Sequence, residues 1–171
     1  MIVNIAELNA GMGRSTSFSF EVSAEELDAV MDGCTFDGLI AVEGTVINAG
    51  SCYRAEGIIG CRKSFTCDRC LASCTVEQRH EFSEKFRRVA DGTSEEEEAV
   101  FFEGDTIDIA GMIRDTLLAA QPLSNICSPD CKGLCPVCGT NLNHGTCTCD
   151  SFVPDPRLAA LQRFMQKQEN E

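Results

Sequence analysis

Twelve cysteines in a chain of 171 residues are the first chemistry the sequence offers. Six of them fall in "CSPDCKGLCPVCGTNLNHGTCTCD" (127–150), and a further pair forms Cys67-Asp-Arg-Cys70. Such residues can close disulfides, exchange thiols or hold metal. The opening Met1-Ile-Val-Asn-Ile-Ala-Glu-Leu has no basic n-region and an acid at position 7, so it does not read as a signal peptide. A cytoplasmic address is expected, and a reducing compartment disfavours structural disulfides. Thiol exchange normally places C-x2-C at a helix N-terminus after a strand, where the dipole lowers a thiol pKa. Both pairs here sit amid turn formers instead. Metal ligation is the reading that remains.

Cys135-Pro136-Val137-Cys138-Gly139 has the sequence of a zinc knuckle. Two intervening residues let both thiolates reach one ion, and Gly139 lets the backbone turn and aim its N–H at sulfur. Cys147 and Cys149, beyond the turn-rich "GTNLNHGT", complete a four-sulfur set, site 1. Cys127 and Cys131 are then left over. Combined with Cys67 and Cys70 they make a second set, site 2, which would tie a hairpin tip to the C-terminal segment as a clasp. Structural zinc contributes on the order of 10 kcal/mol in small peptides. The partition is not forced: Cys127, Cys131, Cys135 and Cys138 could share one ion and leave the C-x-C spare. Two zinc ions are the favoured reading and one is the alternative.

Cys34, Cys52, Cys61 and Cys74 read as small buried apolar residues, although Cys61 or Cys74 could replace a ligand near Cys67. Catalytic candidates are few. His80 lies on a strand face, and His144 sits in the cysteine loop, where it could substitute as a ligand. A catalytic zinc needs an open position and usually histidine ligands, whereas eight thiolates describe closed sites. No enzyme is expected, and no catalytic residue or small-molecule substrate is assigned.

The elements that must position these cysteines are mostly strands. "LIAVEGTVI" and "SCYRAEGII" flank the turn signal "NAG", "RKSFTC" is extended, and "TVEQRHEFSEKFRR" alternates Val76, Gln78, His80, Phe82, Glu84 and Phe86 on one face. Connections this short imply an antiparallel meander. "VFFEGDTIDI" reads as a strand or two. "DIAGMIRDTLLAAQ" has helical spacing at Ile109, Met112, Ile113, Leu117 and Ala120, with Asp108 as cap and Pro122 past its end. "VSAEELDAVMDG" has roughly helical spacing, with Ser23 and Glu26 at capping-box positions. "ADGTSEEEEA" (90–99) is an acidic loop. "DPRLAALQRFMQKQ" is a docking helix with Asp155 as cap and Pro156 at its first position. The expected class is α+β: an antiparallel β-meander, partly closed, with a few flanking helices and a zinc-pinned C-terminal segment. The expected division is 1–123 as the β-rich main domain, 124–151 as the cysteine-rich segment and 152–171 as docking helix and tail, forming one compact unit.

Net charge is −13, yet residues 51–90 hold eight bases and five acids, a local +3, so the remainder carries −16. Each four-thiolate zinc carries −2, so two sites would move the total to about −17. A chain this acidic is a poor general binder of nucleic acid. It suits a basic protein partner better, with any RNA contact confined to Arg62-Lys63, Arg69 and Arg87-Arg88. No apolar run is long enough to span a bilayer, and oligomeric state is not readable.

"CDRCL" (67–71), the "IDI…I…L" segment before Pro122, "CSPDCKGLCPVCGTNLN" (127–143), "CTC" (147–149) and "DPRLAAL" (155–161) stand in a shared order. In that order the chain resembles the YceD-like proteins, also described as the large-ribosomal-RNA-subunit accumulation family, over about residues 39–165. The resemblance implies a bacterial or organellar factor in ribosome biogenesis that supports accumulation of large-subunit ribosomal RNA, without an established reaction. Some relatives lack much of the cysteine cluster, so zinc is not implied as chemistry common to the family. The partner expected is that RNA or a basic large-subunit ribosomal protein. A redox-responsive zinc-thiolate switch, or chaperone-like protein, is the rival reading. A zinc-ribbon adaptor is less apt, because 124–151 offers one base, Lys132, against Asp130 and Asp150.

Overall fold

The structure, a computed structural model, describes residues 1–89 and 99–150. Two compact units are present among the described residues: Met1–Cys67 with Ala72–Asn125, and Asp68–Leu71 with those from Ile126 onward.

The first unit is built on long strands. β1 (Ile2–Asn4) leads into a 3-10 turn (Ala6–Ala10), followed by β2 (Ser15–Ser23), β3 (Cys34–Asn48), β4 (Tyr53–Thr66) and β5 (Ser73–Arg88). Short β6 (Val100–Phe102) and β7 (Thr106–Asp108) precede α1 (Ala110–Ala119). The main sheet has the order β2-β3-β4-β5-β6, and β1 pairs with β7 in a second, two-stranded sheet. β2 to β5 form the expected antiparallel meander, but β6 joins β5 in parallel and the sheet stays open. The expectation of partial closure is therefore corrected: among the described residues β2 and β6 are edges.

Side-chain alternation decides which face is inside. Ile40, Val42, Val46, Ala55, Ile59 and Phe86 are all but inaccessible on the inner face. They share one apolar cluster with Ile5, Leu8, Ile107, Ile109, Ile113 and Leu117. Burying an aliphatic side chain contributes about 1.5–3 kcal/mol, so these residues hold the unit together. Ile113 and Leu117, four apart, are the buried stripe of α1, and the Asp108 carboxylate accepts the Ala110 N–H at 3.0 Å to start it. In mid-sheet Gly44 and Gly57 face each other across β3 and β4. A Cβ on Gly57 would lie 2.1 Å from the Glu43 carbonyl oxygen and 2.8 Å from the Phe82 ring. Only glycine there lets Phe18 and Phe82 approach and stack at 6.3 Å.

Three local readings change. "RKSFTC" is not a separate element, because β4 runs unbroken through it. The N-terminal segment holds β1, the 3-10 turn and the nine residues of β2, none of which the sequence reading placed. Ser23 and Glu26 do form a capping box, the Ser23 N–H donating to Glu26 Oε2 at 3.0 Å and the Glu26 N–H to Ser23 Oγ at 3.2 Å. The helix it should start ends after one turn, because Asp28 adopts φ +53°. Residues 90–98 of the acidic loop and the helix expected at 155–168 lie outside the described residues, among which α1 is the sole α-helix. No helix among them is long and apolar enough to cross a membrane.

Candidate metal centres

Asp68–Leu71, between β4 and β5, supplies the first turn of the cysteine-rich unit. The structure brings the sulfurs of Cys67, Cys70, Cys127 and Cys131 within 4.8 Å of one another. The sulfurs of Cys135, Cys138, Cys147 and Cys149 form a second group on the same criterion. Four thiolates about 2.3 Å from one ion stand about 3.8 Å apart in a tetrahedron. Cys70 Sγ and Cys127 Sγ lie 3.7 Å apart, well beyond the length of a disulfide bond. Both groups could therefore bind a metal ion, and their all-sulfur donor sets suit a soft or borderline one.

The knuckles explain how the chain presents paired sulfurs. Gly139 has φ +72°, and its N–H donates to the Cys135 carbonyl oxygen at 2.9 Å, where the sequence reading had aimed it at sulfur. The Cys135 N–H in turn donates to the Thr140 carbonyl oxygen at 2.8 Å. In the other knuckle Leu71 occupies the corresponding position, with φ +58° and its side chain exposed. A leucine in that conformation carries strain on the order of 1 kcal/mol, so the turn is imposed by its surroundings.

Sequence reasoning missed the residues that orient the sulfurs. It took "GTNLNHGT" as generic turn formers, yet Asn143 has a specific task. Its side-chain Nδ2 donates to Cys131 Sγ at 3.3 Å, while its Oδ1 accepts the Lys132 N–H at 2.8 Å. That bond from Asn143 holds the Cys131 thiol below the usual cysteine range. Asn141 Oδ1 accepts the Asn143 N–H at 3.0 Å, and the Leu142 N–H bonds the Gly133 carbonyl at 2.9 Å. Arg69 also works inside the unit: its Nη1 donates to the Cys131 carbonyl oxygen at 3.1 Å and its own carbonyl accepts the Leu134 N–H. In the second group the Thr140 hydroxyl lies 3.1 Å from Cys138 Sγ, and this contact above all pulls Cys138 to about 6. Its neighbour Cys149, hydrogen-bonded to Cys138, is pushed up to about 12. One sulfur is thus ready to ionise while another keeps its proton. A bound cation would remove that inequality, since metal ligation requires thiolates.

The other candidates lie apart. His144 is exposed, its N–H closing a turn on the Asn141 carbonyl at 3.2 Å, and it belongs to neither group. Cys61 is buried with its thiol pushed up by burial, while Cys34, Cys52 and Cys74 are half-buried, and none joins a group. His80 is half-buried on the inner face, where burial and then the Lys63 charge lower its pKa. The basic face requires correction. Lys63 is 1% exposed, its ammonium donating to Asn125 Oδ1 at 2.7 Å above the Phe65 ring, so it cannot meet RNA. Alternation along β4 sends adjacent Arg62 to the outer face, where it pairs with Glu77 at 2.8 Å. Arg88 pairs with Asp105 at 3.0 Å.

A strand-rich unit with a cysteine-rich unit able to hold metal is the class these observations define. Residues 55–165 match the family described as large ribosomal RNA subunit accumulation protein YceD, and the chain belongs to that family. An uncharacterized protein of Mycobacterium tuberculosis is 32% identical over 120 residues, 68% of this chain and 56% of the relative. The chain thus spans about half the length of such relatives. The chloroplastic large ribosomal RNA subunit accumulation protein YCED homolog 1 of Zea mays is 50% identical over 44 residues, 25% of this chain and 15% of its own. The homolog of the same name in Arabidopsis thaliana is 38% identical over 66 residues, 37% of this chain and 21% of its own. No solved structure matches.

Proposed function

We propose that the protein is a non-catalytic, cytoplasmic factor of ribosome biogenesis that supports accumulation of large-subunit ribosomal RNA, with zinc held by its two cysteine groups. Membership in a family named for accumulation rather than for a reaction supports the role. The observation that carries the non-catalytic reading is closure: each group presents four sulfurs, and no other such group exists among the described residues. Cys135, Cys138, Cys147 and Cys149 are the ligands of site 1, and Cys67, Cys70, Cys127 and Cys131 those of site 2. With Lys63 buried and Arg62 and Arg88 paired, a basic large-subunit ribosomal protein fits the charge of −13 better than bare RNA does. Deleting the gene should lower large-subunit RNA relative to small-subunit RNA, and the purified protein should co-sediment with large-subunit precursors at low salt. An unchanged RNA ratio with no co-sedimentation overturns the role. Metal analysis of protein purified without added metal should give two zinc ions per chain.

A second reading, a redox-responsive zinc-thiolate switch, draws support from the exposure of the second group, in which only Cys135 is buried. Mild peroxide would then release metal from the second group before the first. Metal retained under that treatment removes this reading.

A further inference from the structure

The two edges of the main sheet are unlike. β6 offers only Val100–Phe102, whereas β2 is an uninterrupted nine-residue edge, Ser15–Ser23, paired on one side with β3. Proteins usually blunt so long an edge with lysine, proline or a bulge. β2 has none of these, and Glu21 is its single charge.

Register fixes which backbone groups are open. The Asn48 N–H donates to the Arg14 carbonyl oxygen at 2.9 Å. Hydrogen-bonded pairs recur at every second residue of an antiparallel ladder. Thr16, Phe18, Phe20 and Val22, opposite Val46, Gly44, Val42 and Ile40, therefore bond to β3. Ser15, Ser17, Ser19 and Glu21 are exposed and aim their N–H and C=O groups at the open edge, whereas the Ser23 N–H is taken by Glu26 Oε2 and its carbonyl by the Leu27 N–H at 3.2 Å. On the inner face Phe18, Phe20 and Val22 remain only partly buried although they pack on the core.

The strand "STSFSFEVS" is close to palindromic about Ser19. We propose that β2 pairs antiparallel with β2 of a second copy of this chain about a two-fold axis at Ser19, forming a homodimer through a continuous sheet. In that register Ser19 faces Ser19 and Ser17 faces Glu21 as outward-bonding pairs, and Ser15 faces Ser23 where the ladder ends. Phe18 of one copy then meets Phe20 of the other, and Thr16 meets Val22, so the half-buried inner residues gain apolar partners. Glu21 meets serine and not its own copy, so no like charges oppose within the ladder. The self-complementary sequence and the scarcity of charge favour a second copy over a basic segment of another protein. The interface uses neither cysteine group.

Light scattering on the full chain under reducing conditions, at up to about 100 µM against the ~1 µM of a modest interface, tests this. The expected mass is twice 18.5 kDa. Rising salt should strengthen the dimer, because each copy carries −13. Ser19→Lys sets two ammonium groups face to face only in the dimer and should weaken it at least about tenfold. An equimolar mixture with Ser19→Glu should restore it. Ser19→Pro removes an outward N–H and should also give monomers; if that variant fails to fold, the lysine and glutamate pair still decides. A wild-type monomer at both low and high salt overturns the proposal, including one that instead binds a basic peptide along β2. A dimer indifferent to both lysine and proline also overturns it.

Discussion

The two units solve the problem of stability with different material. In the strand-rich unit, Ile5, Ile40, Val42, Ile59, Ile107, Ile113, Leu117 and Phe86 are buried within one cluster. In the cysteine-rich unit, the buried apolar side chains among the described residues are those of Cys70, Cys131 and Cys135, while the aliphatic Ile126, Leu134 and Leu142 are only half-buried. One unit excludes water from hydrocarbon. The other buries no aliphatic side chain fully among the described residues and gathers sulfur instead. A segment of that kind cannot offset its conformational entropy by burial alone, which is the condition under which metal becomes a folding element.

The comparison breaks most sharply if metal removal leaves both units equally intact. Chelation under reducing conditions should cost the cysteine-rich unit on the order of 10 kcal/mol, abolishing hydrogen-exchange protection at Leu134, Cys135 and Leu142. Amides at the centre of β3 and β4 should stay protected. Next in size is the reverse experiment. Ile59→Ala should destabilise the strand-rich unit by about 2–5 kcal/mol in denaturant melts and leave metal content unchanged.

Single-ligand variants sharpen the partition of cysteines. Cys70→Ser should reduce metal from two ions per chain to one, and so should Cys149→Ser. If Cys127, Cys131, Cys135 and Cys138 shared a single ion, neither change would alter the count. At Leu71, glycine would relieve the left-handed strain and raise the stability of its knuckle by up to about 1 kcal/mol, an increment readable in metal-competition titrations.

The smallest effect is a pH slope in the strand-rich unit. Burial holds the folded pKa of His80 below its ordinary 6.5. The unfolded chain therefore takes up this proton first as pH falls, so the stability is full above about 6.5 and is lost as pH drops toward the lower folded value. His80→Gln should flatten the slope of melts compared at pH on either side of that window. An unchanged slope would mean that His80 titrates as freely in the folded unit as in the unfolded chain.

Legibility followed how local each signal was. The C-x2-C pairs, the alternation of β5 and the stripe of α1 could be read because spacing alone carries them. "STSFSFEVS" alternates as strictly as β5 does and was legible in principle, but its serines hid it from a search for β-branched residues. The capping box of Ser23 and Glu26 was also legible, yet it promised a helix that Asp28 cuts short. Lys63 is the clearest failure. Beside Arg62 it looks like half of a basic patch, and only strand alternation with Asn125 as an acceptor takes it inside.

By itself the sequence determined the number and type of ligating groups, the strand and helix periods and the acidity of the chain, because these depend on neighbours a few positions apart. The tertiary structure decided which cysteines meet, what Asn143 and Arg69 bond, and which sheet edge stays open. Those outcomes depend on register and chain return, and no local spacing records them. The twenty-four residues from Cys127 to Asp150 carry six sulfurs. Their division into two groups was the favoured of two sequence readings, and the structure gathers the sulfurs of Cys67 and Cys70 with those of Cys127 and Cys131.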